Sequence, residues 1–109
     1  MIVDVQFKEL QKLLKAKASL EQVTEALAMF GTPVDDVQGD TLRVEVEPNR
    51  VDMLSAEGIA RSLNGFLGAE VGYPQWKLVP GKIDVEREGS DIRPHVSFSS
   101  VLGAKLTEA

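Results

Sequence analysis

The chain has 109 residues, enough for one small domain with a modest core but not for a large buried active site. Its 43% hydrophobic and 27% charged residues are those of an ordinary folded domain, and the lack of cysteine excludes a disulfide framework and a thiolate metal site. Twelve basic residues against 17 acidic ones leave a net charge of -5, which argues against an independent binder of DNA or RNA phosphates.

No apolar run approaches the roughly 20 residues of a membrane span, and the start Met1-Ile2-Val3-Asp4-Val5 lacks the basic and apolar blocks of a signal peptide. These features imply a cytoplasmic chain without a membrane partner. Phe7 to Ala16 reads as a first helix, because Phe7, Leu10, Leu13 and Leu14 form one apolar stripe. Lys8, Lys12, Lys15 and Lys17 are the one basic concentration and read as its solvated face.

Ser19 has the chemistry of an N-cap, and Gln22 three residues on can reach back to complete a capping box. Leu20, Val23, Leu27 and Phe30 then line one face of a second helix. Gly31 can end it in the left-handed conformation, and Pro33 prevents continuation. Two helices joined by a short link suggest a helix-turn-helix. The outward residues of the second helix are Glu21, Gln22, Thr24 and Glu25. Carboxylates there would repel phosphate, so DNA reading is not expected.

Val34 to Val37 and Thr41 to Glu47 read as a hairpin with Gly39 in its turn. In the second of these strands Leu42, Val44 and Val46 alternate with polar residues, the pattern of a strand wet on one face. A third helix follows, from Asp52 or Ser55 to Leu67, with Ile59, Leu63, Phe66 and Leu67 inward and Ala56 and Ala60 beside them. Gly68 is its expected C-terminal stop. The expected element order is helix, helix, strand, strand, helix over residues 1–69. Residues 70–81, with Pro74, Pro80, Gly72 and Gly81, read as a linker. Lys82 to Arg87 and Arg93 to Leu106 read as strands on either side of a turn at Glu88-Gly89-Ser90-Asp91, the opening of an incomplete second domain over residues 82–109.

The segment between the hairpin and the third helix is the most informative. Pro48 removes a ladder donor and ends the strand. Asn49 suits a turn and can bond its own backbone two residues on. Asp52 is a candidate N-cap and Ser55 a competing one. Glu57 places a negative charge in the first helical turn. Arg50 can pair with Asp52 or with a neighbouring element. No nucleophile–base pair, phosphate-cradling glycine loop or metal-ligand cluster emerges. The single histidine, His95, stands beside a strand-like run and reads as a surface or packing residue. No residue is therefore assigned a catalytic, cofactor-binding or metal role.

Pro48-Asn49-Arg50-Val51-Asp52-Met53-Leu54-Ser55 followed by Gly58-Ile59-Ala60-Arg61 resembles the β-subunit motif of phenylalanyl-tRNA synthetases of the archaeal or eukaryotic type. The family pattern is Pro-Asn-Arg-Pro-Asp, two mostly apolar residues, Ser, then Gly-Ile-Ala-Arg. Pro48, Asn49, Arg50, Asp52, Ser55, Gly58 and Arg61 match it. Val51 departs from it, which removes a φ constraint near the helix start. Phe66-Leu67-Gly68 is similar to the family's Gly-Phe-Leu-Gly ending. Asp91-Ile92-Arg93-Pro94-His95-Val96 is similar to the stretch leading into its editing domain.

The resemblance implies a winged-helix-like, DNA-binding-type α+β fold of three helices and a short β-hairpin for residues 1–69. A linker at 70–81 and the truncated start of a B3/B4-type editing domain at 82–109 would follow. It also implies a parent ligase of two α and two β subunits that charges tRNA(Phe) with phenylalanine, using ATP and magnesium. In that parent the aminoacylation site lies in the α subunit, and the β editing domain hydrolyses mischarged tyrosine. This chain would be a noncatalytic architectural piece, its matching residues structural. The competing readings are a stand-alone winged-helix nucleic-acid binder and a free-standing editing hydrolase.

Overall fold

A computed structural model of the chain describes residues 1–104 apart from Pro74, Arg87, Ser90 and Arg93. The chain divides into two units, Met1–Gln75 and Trp76–Ala109.

The first unit is α+β. Its elements in chain order are β1 (Ile2–Gln6), α1 (Phe7–Leu13), α2 (Leu20–Met29), β2 (Val34–Gln38), β3 (Thr41–Glu45), a short 3-10 turn (Val51–Met53) and α3 (Ala56–Phe66). The three strands form one antiparallel sheet in the order β1-β3-β2. The expected helix–helix–strand–strand–helix order lacks β1. Only Val3 and Val5 of that strand turn inward. So short an alternation becomes a strand through its pairing with β3, with Val3 opposite Val44 and Val5 opposite Leu42.

The hairpin β2–β3 forms where expected, and Gly39 carries the positive φ of 63° at its tip. A bulge between Val34 and Asp36 interrupts its register. Leu42, Val44 and Val46 are fully buried, as their alternation predicts. On the wet face Gln6 Nε2 donates to Thr41 Oγ1 at 2.8 Å, and Arg43 lies 3.7 Å from the Asp4 carboxylate.

α2 begins with the expected capping box. Ser19 Oγ accepts from the Gln22 N–H at 3.2 Å, and Gln22 Oε1 accepts from the Ser19 N–H at 2.9 Å. Val23, Ala26 and Leu27 are buried, whereas Leu20 sits at the edge of the apolar face. Phe30 meets Phe66 edge-to-face with ring centroids 4.8 Å apart, which ties the end of α2 to the end of α3. Thr32 is buried because its hydroxyl donates to the Leu27 carbonyl at 3.2 Å. Gly31 and Gly68 both take positive φ just past their helices.

α1 ends at Leu13, three residues before the expected Ala16. Leu14 is extended, with ψ of 131°, and the next amide, Lys15 N–H, leaves the helical ladder to donate to Asn64 Oδ1 at 2.8 Å. A tertiary hydrogen bond therefore ends a helix whose apolar periodicity runs on. The core gathers Val5 and Leu10, Val23 and Leu27, Leu42, Val44 and Val46, and Met53, Ile59 and Leu63. Every element of the unit except β2 contributes to it, and Val34 of β2 packs on its edge.

The second unit differs. Among the described residues beyond Glu70 there is no helix or strand, so residues 82–86 and 94–104 do not form the expected strands. Arg87, Arg93 and residues 105–106, the remaining parts of those stretches, lie outside the described residues, as do Pro74 of the linker and Ser90 of the turn. A strand exists through its ladder, and short runs such as Ile83 and Val85 find no partner here. Trp76, Leu78 and Ile92 are all largely exposed.

Candidate functional site at the strand-to-helix corner

The matching residues Pro48, Asn49, Arg50, Asp52, Ser55, Gly58 and Arg61 share one corner, where the chain leaves the sheet and turns into α3. The Arg50 N–H donates to the Glu47 carbonyl at 2.9 Å, closing a turn around Pro48 and Asn49. The Met53 N–H then donates to the Arg50 carbonyl at 3.0 Å, the bond of the 3-10 turn. This turn drives Met53 into the core, fully buried against its neighbours. Val51 and Leu54 on either side stay exposed.

Ser55 caps α3. Its backbone is extended, and its Oγ accepts from the Gly58 N–H at 3.2 Å. Asp52 does not cap the helix, because the 3-10 turn places it one turn too early. Its carboxylate instead receives a forked contact from Arg50, Nε to Oδ1 and Nη2 to Oδ2, both 3.1 Å. The fork holds the Asp52 carboxyl below its ordinary range, and the charge of Arg61 adds to the effect. Arg50 is shifted upward by the same hydrogen bond. The pair is more than a third exposed, so solvent screens much of its attraction. Among the described residues the Asn49 side chain has no hydrogen-bond partner, and the expected bond to its own backbone does not form.

Gly58 has a reason the sequence pattern does not disclose. Its φ is unremarkable, but a Cβ at this position would overlap the Asp52 carbonyl oxygen and crowd the Asp52 carbonyl carbon. The first turn of α3 therefore rests directly on the backbone of the 3-10 turn. Only a residue without a side chain permits that approach. The corner is thus a small assembly in which Ser55 starts the helix, Gly58 lets it touch the preceding turn and Met53 anchors that turn in the core.

Two residues that fix the geometry of α3 escape the sequence reading. Met53 reads as one of two spacer residues inside the motif, yet it is the buried one. Asn64 is not among the residues expected to face inward on the third helix, yet it is 4% exposed. Its signal was available: Ala56, Ala60, Leu63, Asn64 and Leu67 follow the i, i+4, i+7, i+8, i+11 spacing of an apolar stripe. Chemically, the corner offers a forked ion pair, a free carboxamide and two exposed apolar side chains. It holds no nucleophile beside a base. Among the described residues no three His, Cys, Asp or Glu side chains are grouped to hold a metal ion, and none of the helices is long and apolar enough to cross a membrane.

The chain is similar over nearly its whole length to proteins named phenylalanine–tRNA ligase β subunit. The one from Methanocella arvoryzae is 36% identical over 108 residues, which cover 97% of this chain and 20% of that protein. The one from Archaeoglobus fulgidus is 36% identical over 109 residues, 98% of this chain and 20% of the relative. The one from Methanopyrus kandleri is 32% identical over 112 residues, 98% and 19%. The chain thus spans about a fifth of the length of the curated relatives it matches. No family model matches it, and no solved structure does.

Proposed function

We propose, from its kinship with the β subunits of archaeal phenylalanine–tRNA ligases, that this chain is the noncatalytic N-terminal domain of such a subunit. It packs within the subunit and positions the editing domain, which begins in residues 82–109 after the linker at 70–81. The parent would be a cytoplasmic ligase of two α and two β subunits that charges tRNA(Phe) with phenylalanine, using ATP and magnesium. The residues of the corner do not fit magnesium, since the Asp52 carboxylate is engaged by Arg50 and, among the described residues, no three His, Cys, Asp or Glu side chains are grouped to hold a metal ion. No step of the chemistry is assigned to them. Pro48, Asn49, Arg50, Asp52, Ser55, Gly58 and Arg61 act as architecture that joins sheet to helix.

The observation that carries this reading is the alignment of 97–98% of the chain with one-fifth of relatives that bear a single name. The two helices followed by a hairpin support a winged-helix-like description of residues 1–69. A binding assay of the 109-residue chain on tRNA and duplex DNA across a salt series tests the reading. Weak binding to both is expected. Tight binding whose logarithm falls steeply with that of the salt concentration would instead favour a stand-alone nucleic-acid module. Hydrolysis of tyrosyl-tRNA by the chain alone is expected to be undetectable, and measurable turnover would overturn the noncatalytic assignment.

A further inference from the structure

The side chain and the main chain of Asn64 hold two different parts of the molecule. Its side chain grips the end of α1: Oδ1 accepts from the Lys15 N–H at 2.8 Å, and Nδ2 donates to the Leu13 carbonyl at 3.2 Å. Its carbonyl grips the segment that follows α3, accepting from the N–H groups of Ala69 at 2.9 Å and Glu70 at 3.1 Å. A surface ion pair joins the same two parts, with Lys15 Nζ 2.7 Å from Glu70 Oε1.

A carboxamide suits this place for a chemical reason. The end of α1 presents a carbonyl and, two residues on, an N–H, the orphan groups left where a helix stops. One amide satisfies both, because it carries an acceptor and a donor side by side. A carboxylate would lack the donor, and an apolar side chain would lack both. Asn64 itself is buried, so losing either contact leaves an unsatisfied polar atom on its carboxamide. Neither half of the contact opens cheaply by itself.

We propose that Asn64 is a joint that couples the loop after α1 to the path by which the chain leaves α3. The coupled loop, residues 15–18, lines a shallow hollow with Gln11 and Leu14. A displacement of that loop withdraws the partners of the Asn64 side chain, and the exit segment at Ala69 and Glu70 loosens with it. The joint lies wholly within the first unit and stands or falls independently of the synthetase assignment.

Amide exchange of the intact 109-residue chain under native conditions tests this. The amides of Lys15, Ala69 and Glu70 are expected to open together, with one common dependence on added urea. In Asn64→Leu, exchange at all three is expected to accelerate about tenfold or more relative to Val44 in β3. In Glu70→Gln, which removes only the exposed pair, all three accelerate together by less than about threefold. Acceleration at Lys15 alone, with Ala69 and Glu70 tracking Val44, overturns the joint. If Asn64→Leu does not fold, the urea series on the unmodified chain still decides, since three different slopes would mean three independent openings.

Discussion

The two ends of α3 are held in opposite ways. At the N-terminal end, Ser55, Gly58 and the Arg50–Asp52 fork sit at the surface in a recognisable string of residues. At the C-terminal end, one buried carboxamide, Asn64, clasps the end of α1 and the departing chain. The first end is made by local contacts between residues close in sequence, and the second by contacts spanning about fifty positions (Asn64 to Leu13 and Lys15). Residues that identify a chain and residues that hold it together need not be the same ones. α3 carries one set at each end.

Two glycines make the contrast testable within a single helix. Gly58→Ala is expected to have the largest effect at the corner, lowering stability by about 3 kcal/mol, because the new Cβ meets a backbone carbonyl that cannot rotate away. The intrinsic helix preference of Ala recovers about 1 kcal/mol at most. A urea unfolding midpoint equal to that of the parent chain would show that the 3-10 turn shifts without cost. At the other end Asn64→Leu is expected to lower stability by about 2 kcal/mol, through loss of the two hydrogen bonds that the buried carboxamide makes to the Lys15 N–H and the Leu13 carbonyl. Equal losses from the two substitutions would erase much of the difference between surface steric fit and buried hydrogen bonding.

Ser55→Ala should cost about 1 kcal/mol, the usual worth of an N-cap hydroxyl. Circular dichroism with urea suffices to measure it. Replacing Asp52 tests the cap assignment from the other side, since α3 should keep its start without that carboxylate. Gly65→Ala is the smallest of the substitutions and the only stabilising one. Its Cβ would meet nothing closer than the Glu70 carbonyl oxygen at 3.7 Å, an ordinary contact. A gain of about 0.5 to 1 kcal/mol follows from helix propensity. A loss at Gly65 would mean that the clasp near Asn64 is as tightly packed as the corner.

The sequence disclosed what repeats or stands in a local pattern. The capping box at Ser19 and Gln22, the alternation of Leu42, Val44 and Val46, and the stop at Gly68 are all short-range devices whose physics is contained in a few neighbouring residues. β1 was hidden because five residues with two inward valines become a strand only against β3. The early end of α1 was hidden because its cause, Asn64, lies 49 positions from Lys15. The corner was legible as a string and as a pairing of Arg50 with Asp52. Whether Asp52 or Ser55 starts the helix depended on one extra turn, which the buried Met53 stabilises. The apolar residues of the second unit read as strands because alternation is a property of sequence, whereas a ladder requires partners.

Acid distinguishes the two ends most gently. The Arg50 fork lowers the folded-state pKa of Asp52 below its ordinary value near 3.8. A carboxyl with a depressed folded pKa binds its proton less readily when folded than when unfolded. It therefore contributes stability above the unfolded pKa, and that contribution fades as pH falls through the folded value. For Asp52 the window lies below about pH 4. Asp36 behaves alike, held down first by the Gln38 side chain and then by the Val37 N–H, so the two must be separated. Arg50→Gln removes the fork from Asp52 and leaves Asp36 untouched. The variant should lose part of the acid dependence that the parent shows below about pH 4. Asn64→Leu should keep all of it, because the carboxamide it replaces is not an ionisable group. Parallel stability–pH curves for the parent and Arg50→Gln would mean that the fork does not persist in solution. The corner would then be held by Ser55, Gly58 and the buried Met53 without the fork.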